Sequence, residues 1–342
     1  MISAQSEMAS ASPVVSIIIP FQTVTSYLYE TLEHIGQLQG PIFEVILLPD
    51  EPIPAEEIGG LTYPFQIIPT WTVSPAVKRD MGARASNGEF LAFIDDDAYP
   101  AVDWLEKVLP HFQDKAIAAV GGPQITPPED GFWQQVSGAT FLSPLNGKAV
   151  CRYWPCNKRF FVEDWPSVNL IVRKEDFLAI GGFDTNFWPG EDTKLCLDLV
   201  TKLHKKILYE PEAKVYHHRR AGFLKHMKQV GNYGLHRGFF AKQFPKTSFK
   251  ISYFLPTCFS LLACLSSTVL LLGGFGADLF FVFWISYLLA LAVSTLMIYN
   301  NLGNLKIALA TAPYLFGTHL WYGWRFLKGF VFTRDLRSKL GR

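Results

Sequence analysis

Residues 14–20 read VVSIIIP, a β-branched run closed by proline and interrupted only by Ser16. A run without polar alternation has no solvent-facing side, which marks a strand covered on both faces, as in a parallel sheet sandwiched by helices. The signal recurs at 43–48 (FEVILL), 65–69 and 90–94 (FLAFI), with helical patterns at about 27–39 and 76–85 between. Strands alternating with helices give a doubly wound α/β fold, whose ligands bind beyond the carboxyl ends of the strands. Residues following Pro20, Leu48 and Ile94 should therefore line the site. Further strands are expected at 116–121, 207–211 and 213–216, and a helix at 193–203. Residues 123–164 are rich in Pro, Gly and aromatics with weak periodicity and read as an adaptable loop region. There is no internal repeat, and the Ser/Ala-rich residues 1–13 are expected to be disordered.

The C-terminal part imposes a second constraint. Residues 254–272 and 280–299 are nearly free of charge, and each run has the roughly 20 residues that a bilayer core of about 30 Å requires. Neither is a secretory signal, and MISAQSEMASASP has no basic and no apolar region of that kind. The expected organisation is a catalytic domain over 14–245 and a membrane domain over 246–342, with spans at about 253–272 and 279–299. A third hydrophobic helix, about 305–328, contains Pro313, Gly317, His319, Gly323 and Arg325. It reads as interfacial or re-entrant in preference to spanning. Lys242, Lys246 and Lys250 precede the first span, while the GGFGAD loop has no Lys or Arg. The positive-inside rule then places the catalytic domain in the cytoplasm. Arg325, Lys328, Arg334, Arg337, Lys339 and Arg342 gather on the same side if the third helix does not cross.

A net charge of +1 argues against nucleic acid as a partner. The 5 cysteines fit a reducing compartment, where they serve as small buried hydrophobes, and Cys151 with Cys156 lacks a second pair for a zinc site.

Three clusters carry chemistry. Asp95, Asp96 and Asp97 directly follow the strand FLAFI. Adjacent carboxylates repel unless a cation compensates, so their place at a strand's ligand end implies a hard divalent ion, Mg²⁺ or Mn²⁺, bridging to a substrate diphosphate. A solvated acidic turn is the competing reading. Gly190-Glu191-Asp192 opens the 193–203 helix, where capping and dipole alone would favour an acid. The functional reading makes one of the two carboxylates, Glu191 or Asp192, a general base toward an acceptor hydroxyl. The run from Tyr216 through His217, His218, Arg219 and Arg220 suits a metal ligand and phosphate contacts, or a basic patch near a membrane surface.

In their order and context these segments resemble the family 2 glycosyltransferases of GT-A fold, and the membrane segments resemble those of bacterial exopolysaccharide enzymes of the succinoglycan type. The motifs are SIIIPF, LLPDE, VKRDMGARASNGEFLAFIDDD, VNLIVRKEDFLAIGGFD, PGED and EPEAKVYHHRR. The resemblance implies a Rossmann-like GT-A domain that moves sugar from a nucleotide-sugar, by default a UDP-sugar, to a lipid-linked or glycan acceptor. It implies metal binding by Asp95 and Asp97, with His217, and makes Asp192 the base. It implies nucleotide-sugar contacts by Pro20, Asp50, Arg79, Asp95, Asp96, Arg219 and Arg220. Trp154, Trp165 and Asn169 fall on the acceptor side, where the aromatics of 133–165, including Phe160 and Phe161, would pack on a sugar face or lipid chain. Departures occur at Pro49, at Asp80 in place of the motif's usual Asn, and at Lys194 and Asp198. One base and no candidate covalent nucleophile fit a single inverting displacement. A nucleotidyltransferase would instead show a Gly- and Lys/Arg-rich loop after the first strand, where this chain has FQTVTSY. A non-catalytic membrane scaffold that keeps a sugar-nucleotide fold would have lost the metal or base carboxylates.

Overall fold

The computed structural model describes residues 12–185, 187–271 and 274–336. Expectations for residues 1–11 and for Arg337, Lys339 and Arg342 lie outside the described residues. The chain divides into two compact units, one of Met1–Ile125 with Pro155–His217, the other of Thr126–Trp154 with His218–Leu336.

Eleven strands occur among the described residues, all within the first unit: β1 (Val15–Pro20), β2 (Phe43–Leu48), β3 (Phe65–Ile67), β4 (Phe90–Phe93), β5 (Ala98–Pro100), β6 (Ile117–Gly121), β7 (Gln124–Ile125), β8 (Phe160–Val162), β9 (Leu170–Arg173), β10 (Lys206–Tyr209) and β11 (Val215–His217). Eight form one sheet in the order β3-β2-β1-β4-β9-β6-β10-β8, and β5-β11-β7 form a small second sheet. β1, β4 and β6 are buried along their whole length, as their apolar runs require.

The sheet is mixed: β3, β2, β1 and β4 run parallel, as the alternation of strands and helices implies. β9 runs antiparallel to both β4 and β6, and β8 runs antiparallel on β10. Two-faced burial makes a strand apolar whichever way it runs, so direction comes from the connection. Here the chain leaves β6 and returns through more than forty residues of its own structure rather than a crossover helix. Register gathers the site: Pro20 pairs with Leu48, Ile18 with Phe93, and Phe93 with Leu170. The carboxyl ends of β1, β2 and β4 and the start of β9 thus share one edge.

Two helices frame that edge. Ser26–Ile35 starts where Thr25 accepts from the Leu28 amide, and it buries Leu28, Leu32 and Ile35, each worth about 1.5–3 kcal/mol. Pro75–Ala85 starts at Ser74, whose side chain accepts from the Val77 amide, with proline in the first turn. A Cβ on Gly82 would lie 2.9 Å from the side chains of Ile18 and Leu48, so glycine lets this helix lie against β1 and β2. Lys78 and Arg79 are carried in with it.

In the second unit, residues read from sequence as loop are largely ordered: a helix spans Phe132–Thr140 and a 3₁₀ helix Pro144–Arg152. Their pattern is weak because the helix is short and its apolar face, Val136 and Ala139 with Leu142 beyond, packs on Ile298, Ile307, Tyr314 and Leu315 far along the chain. Long helices follow at Phe223–Gln243, Ile251–Leu270, Phe275–Leu302 and Leu305–Leu327. Phe275–Leu302 has mean hydropathy 2.2 with only 6% of its apolar window buried, and among the described residues it is the one helix long and apolar enough to cross a membrane. The apolar part of the preceding helix is shorter, Ile251–Ser266. Leu305–Leu327 buries Thr311, Tyr314, Leu315 and Thr318, and Arg325 Nε donates to the Gly231 carbonyl at 3.1 Å, fixing it to Phe223–Gln243. Cys151 and Cys156 are disulfide-bonded, and of the free thiols Cys196 is buried while Cys258 and Cys264 are exposed, so the reading of reduced, buried cysteines holds for Cys196.

Candidate active site

Asp95 and Asp97 follow β4, and His217 ends β11, which pairs with β5 so that His217 stands opposite Ala98. One ligand atom from each of Asp95, Asp97 and His217 lies within 4.8 Å of the others. His217 Nδ1 is 2.7 Å from Gln124 Oε1 and Nε2 is 3.2 Å from Asp97 Oδ1. With the Nδ1 proton donated to Gln124, Nε2 turns a lone pair toward a carboxylate oxygen. Two acceptors at that distance repel unless a proton or a cation lies between them. Two carboxylates and an imidazole, all partly open to solvent, suit Mg²⁺ or Mn²⁺ with positions left over for phosphate oxygens. Gln124, which orients the imidazole, carries no sequence signal of its own.

Arg79 differs from its expected role as a nucleotide-sugar contact. Its side chain is only 4% exposed, with one guanidinium nitrogen 2.6 Å from Asp95 Oδ1 and another 3.2 Å from Glu191 Oε1. Burial alone would depress its pKa; Asp95 and Glu191 outweigh that and hold it above the ordinary arginine value. The residue joins the Asp95–Asp97 segment to the Gly190–Asp192 segment, with its guanidinium turned inward.

Glu191 is spent on that bridge. It is buried, accepts from the Gly190 amide at 2.9 Å, and burial raises its pKa against the opposing pull of Arg79. Gly190 has φ 118°, the left-handed region that glycine adopts without strain, and this turns the chain into the helix Glu191–Thr201. Asp192 is half-buried, its Oδ1 accepting from the Thr193 amide at 2.7 Å. Thr193 Oγ1 donates to the buried Asp164 at 3.0 Å, pinning the first turn. Asp192 is therefore the more open carboxylate of the pair. Asp80, where the motif has Asn, accepts from the Phe183 amide at 2.9 Å, and burial pushes its pKa up to about 6. It anchors the turn leading to the base motif.

Asp50 lies beyond β2, 2.5 Å from the Nζ of Lys78, a buried residue that the sequence reading passed over. Pro20 is buried as the last residue of β1, and Asp96 is partly exposed between the two metal-motif carboxylates. Arg219 and Arg220 belong to the second unit. Arg219 is buried, its guanidinium 5.0 Å over the Tyr153 ring and its Nε 3.3 Å from Thr126 Oγ1, whereas Arg220 is exposed. His218 pairs with Asp130 at 2.5 Å in the same unit.

The acceptor residues divide. Trp154 is half-buried. Trp165 is 3% exposed and donates through Nε1 to the Gly122 carbonyl, so its ring serves the core. Asn169 is 1% exposed, accepts from Trp104 Nε1 at 3.0 Å and donates to the carbonyls of Pro123 and Ala213. It staples the strand-end loops together and offers no free group to an acceptor.

Residues 16–165 match the family model described as glycosyl transferase family 2. They form a glycosyl transferase family 2 domain. The pre-mycofactocin glycosyltransferase of Mycobacterium tuberculosis is 31% identical over 161 residues, 47% of this chain, and the chain spans only 33% of that protein. A Methanococcus voltae protein, dolichyl N-acetyl-alpha-D-glucosaminyl phosphate 3-beta-D-2,3-diacetamido-2,3-dideoxy-beta-D-glucuronosyltransferase, is 26% identical over 258 residues, 73% of each chain. The mannosyltransferase PcManGT from Pyrobaculum calidifontis, solved with GDP-Man and Mn²⁺, superposes with a TM-score of 0.53 at 17% identity, covering 95% of this chain and 89% of that one. The family 2 domain has the GT-A fold, with its DDD segment at the strand-end edge.

Proposed function

We propose that the chain is a membrane-anchored, metal-dependent inverting glycosyltransferase, moving a sugar from a nucleotide-sugar to a hydroxyl of a lipid-linked or glycan acceptor. The observation that carries the reading is the convergence of Asp95, Asp97 and His217 at the strand-end edge of a family 2 domain. Bound there, Mg²⁺ or Mn²⁺ would neutralise charge on the donor diphosphate and its leaving group. Asp192 takes the proton of the acceptor hydroxyl as that oxygen attacks the sugar carbon and the nucleoside diphosphate departs. Asp50 meets the nucleoside, with uridine the first expectation, although the relative solved with GDP-Man makes guanosine an equal candidate for assay. Trp154 keeps the acceptor role read from the sequence.

Membrane anchoring is supported by Phe275–Leu302, whose Val282, Leu288 and Leu289 are 61%, 60% and 61% exposed, an apolar surface that water does not favour. A catalytic domain in the bacterial cytoplasm accords with Lys242, Lys246 and Lys250 ahead of the first helix, and the relative named for a dolichyl phosphate substrate is in keeping with a lipid-linked acceptor. The nucleotidyltransferase reading has no phosphate loop to support it.

The test is release of nucleoside diphosphate from a panel of UDP- and GDP-sugars by the full chain in detergent, with and without Mn²⁺ or Mg²⁺. Metal-dependent release is expected from the wild type, and Asp97→Asn should abolish it by removing the charge that holds the ion. Metal-independent release, or an unimpaired Asp97→Asn variant, would refute the metal assignment. Release of inorganic pyrophosphate with nucleotidyl transfer would replace the whole reading.

A further inference from the structure

Lys78 lies beside Arg79 in the VKRDMGARASNGEFLAFIDDD segment, where the sequence reading gives it no role, yet it is a tightly held cation at the nucleotide edge. It is 3% exposed, and its Nζ meets the Phe21 carbonyl just past β1, the Leu48 carbonyl at the end of β2 at 3.0 Å, and Asp50 Oδ1 at 2.5 Å. An ammonium has three N–H donors, so all are used. Burial lowers its pKa, and Asp50 opposes the shift by hydrogen bond and by charge. Asp50 remains 18% exposed, and its other carboxylate oxygen accepts no hydrogen bond among the described residues. One oxygen is locked from below while the other is left open at the edge where β1 and β2 end.

We propose that Lys78 is a positioning residue for nucleoside recognition: it holds Asp50 in one rotamer, so that the open oxygen accepts a hydrogen bond from the donor's nucleoside. The proposal rests on the glycosyltransferase reading, which gives Asp50 its ligand. A fixed carboxylate oxygen takes only donors. It suits the ring N–H of uracil or guanine, whereas cytosine turns a lone pair to the same place and is disfavoured. Two strand-end carbonyls take two of the three donors; the third, with the charge, goes to a carboxylate left partly open at the edge, which a counter-ion that merely tied the strands together need not be.

Calorimetric titration of the full chain in detergent with UDP, GDP and CDP, at saturating Mn²⁺, tests this. The wild type should bind UDP or GDP in preference to CDP. Lys78→Met should weaken the preferred diphosphate by about 10–100-fold, the worth of a hydrogen bond to a charged group, with the preference over CDP reduced and Mn²⁺ affinity unchanged. Asp50→Asn should do the same, and the double variant should be no weaker than the worse single one, because both act through the same oxygen. If Lys78→Met fails to fold, Lys78→Gln, whose amide keeps two donors, carries the same comparison. A folded Lys78 variant with unchanged diphosphate affinity, or losses that add in the double variant, would overturn the positioning role and leave the glycosyltransferase reading standing. A wild type that binds no diphosphate would overturn both.

Discussion

Arg79→Met is the sharpest probe of how the site is held together. The substitution keeps the length of the side chain and removes the charge shared by Asp95 and Glu191. Removing one partner of a buried pair costs about 3–5 kcal/mol, because the other charge is left uncompensated. The cost should come mainly from Glu191: its side chain is 8% exposed against 31% for Asp95, so water and a bound cation can relieve Asp95 but not Glu191. At about 2–4 °C per kcal/mol for a unit of this size, the melting temperature should fall by roughly 6–20 °C. The pH dependence has a definite sign. Burial already raises the Glu191 pKa, and without Arg79 it rises further. A carboxyl whose folded pKa lies above its unfolded value costs stability as pH climbs past the unfolded value, fully once pH exceeds the folded one. The deficit should therefore be small below the ordinary glutamate range and grow as pH rises above it. Glu191→Gln added to Arg79→Met should recover part of it. Thermal unfolding of the three proteins, wild type, Arg79→Met and the double variant, across a pH series is the assay. A melting temperature within a degree or so of wild type, or a deficit that does not change with pH, would refute the claim that Arg79 works as a buried charge bridge.

Asp192→Asn should spare donor binding and lower turnover by about 10²–10⁴-fold, the usual contribution of a general base; normal single-turnover rates would move the base elsewhere. Topology can be read with single cysteines at Phe275 and Ser338 in an otherwise cysteine-free chain, labelled in intact cells with an impermeant thiol reagent. Phe275→Cys should react and Ser338→Cys should not, since Phe275 opens the helix Phe275–Leu302 at the turn expected outside. Reaction at Ser338 would mean that the third hydrophobic helix crosses.

Local physical constraint decided what could be read before folding. β1, β2 and β4 were legible because a strand covered on both faces must be apolar throughout, and Asp95 and Asp97 because three adjacent carboxylates after such a strand need a reason. The direction of β9 was not, since its sequence would be equally apolar either way. Lys78 escaped because lysine ordinarily marks a solvated face; only its spacing of four from Gly82, which places both on the side of the helix turned to β1 and β2, hinted otherwise. Arg79 was found but misassigned: its two partners stand 16 and 112 positions away in the chain, and nothing local says it is enclosed. Trp165 and Asn169 were misread for the converse reason. An aromatic and an amide in an irregular segment look available for a ligand, and here both are consumed by carbonyls of neighbouring loops.

Arg79 and Lys78, neighbours on one helix, divide the electrostatic work of the edge. Arg79 balances Asp95 and Glu191, and Lys78 balances Asp50. Asp97 stands 3.2 Å from the imidazole of His217, and Asp192 acts on Arg79 through its charge. A diphosphate entering this edge adds negative charge where it is already in surplus, so its binding free energy depends on the cation that Asp95, Asp97 and His217 would hold. By linkage the dependence is reciprocal: whatever factor the cation adds to donor affinity, the donor adds to cation affinity. The Arg79 bridge extends the same coupling to the base, because any change in charge on Asp95 is felt by the guanidinium that also fixes Glu191, one residue from Asp192.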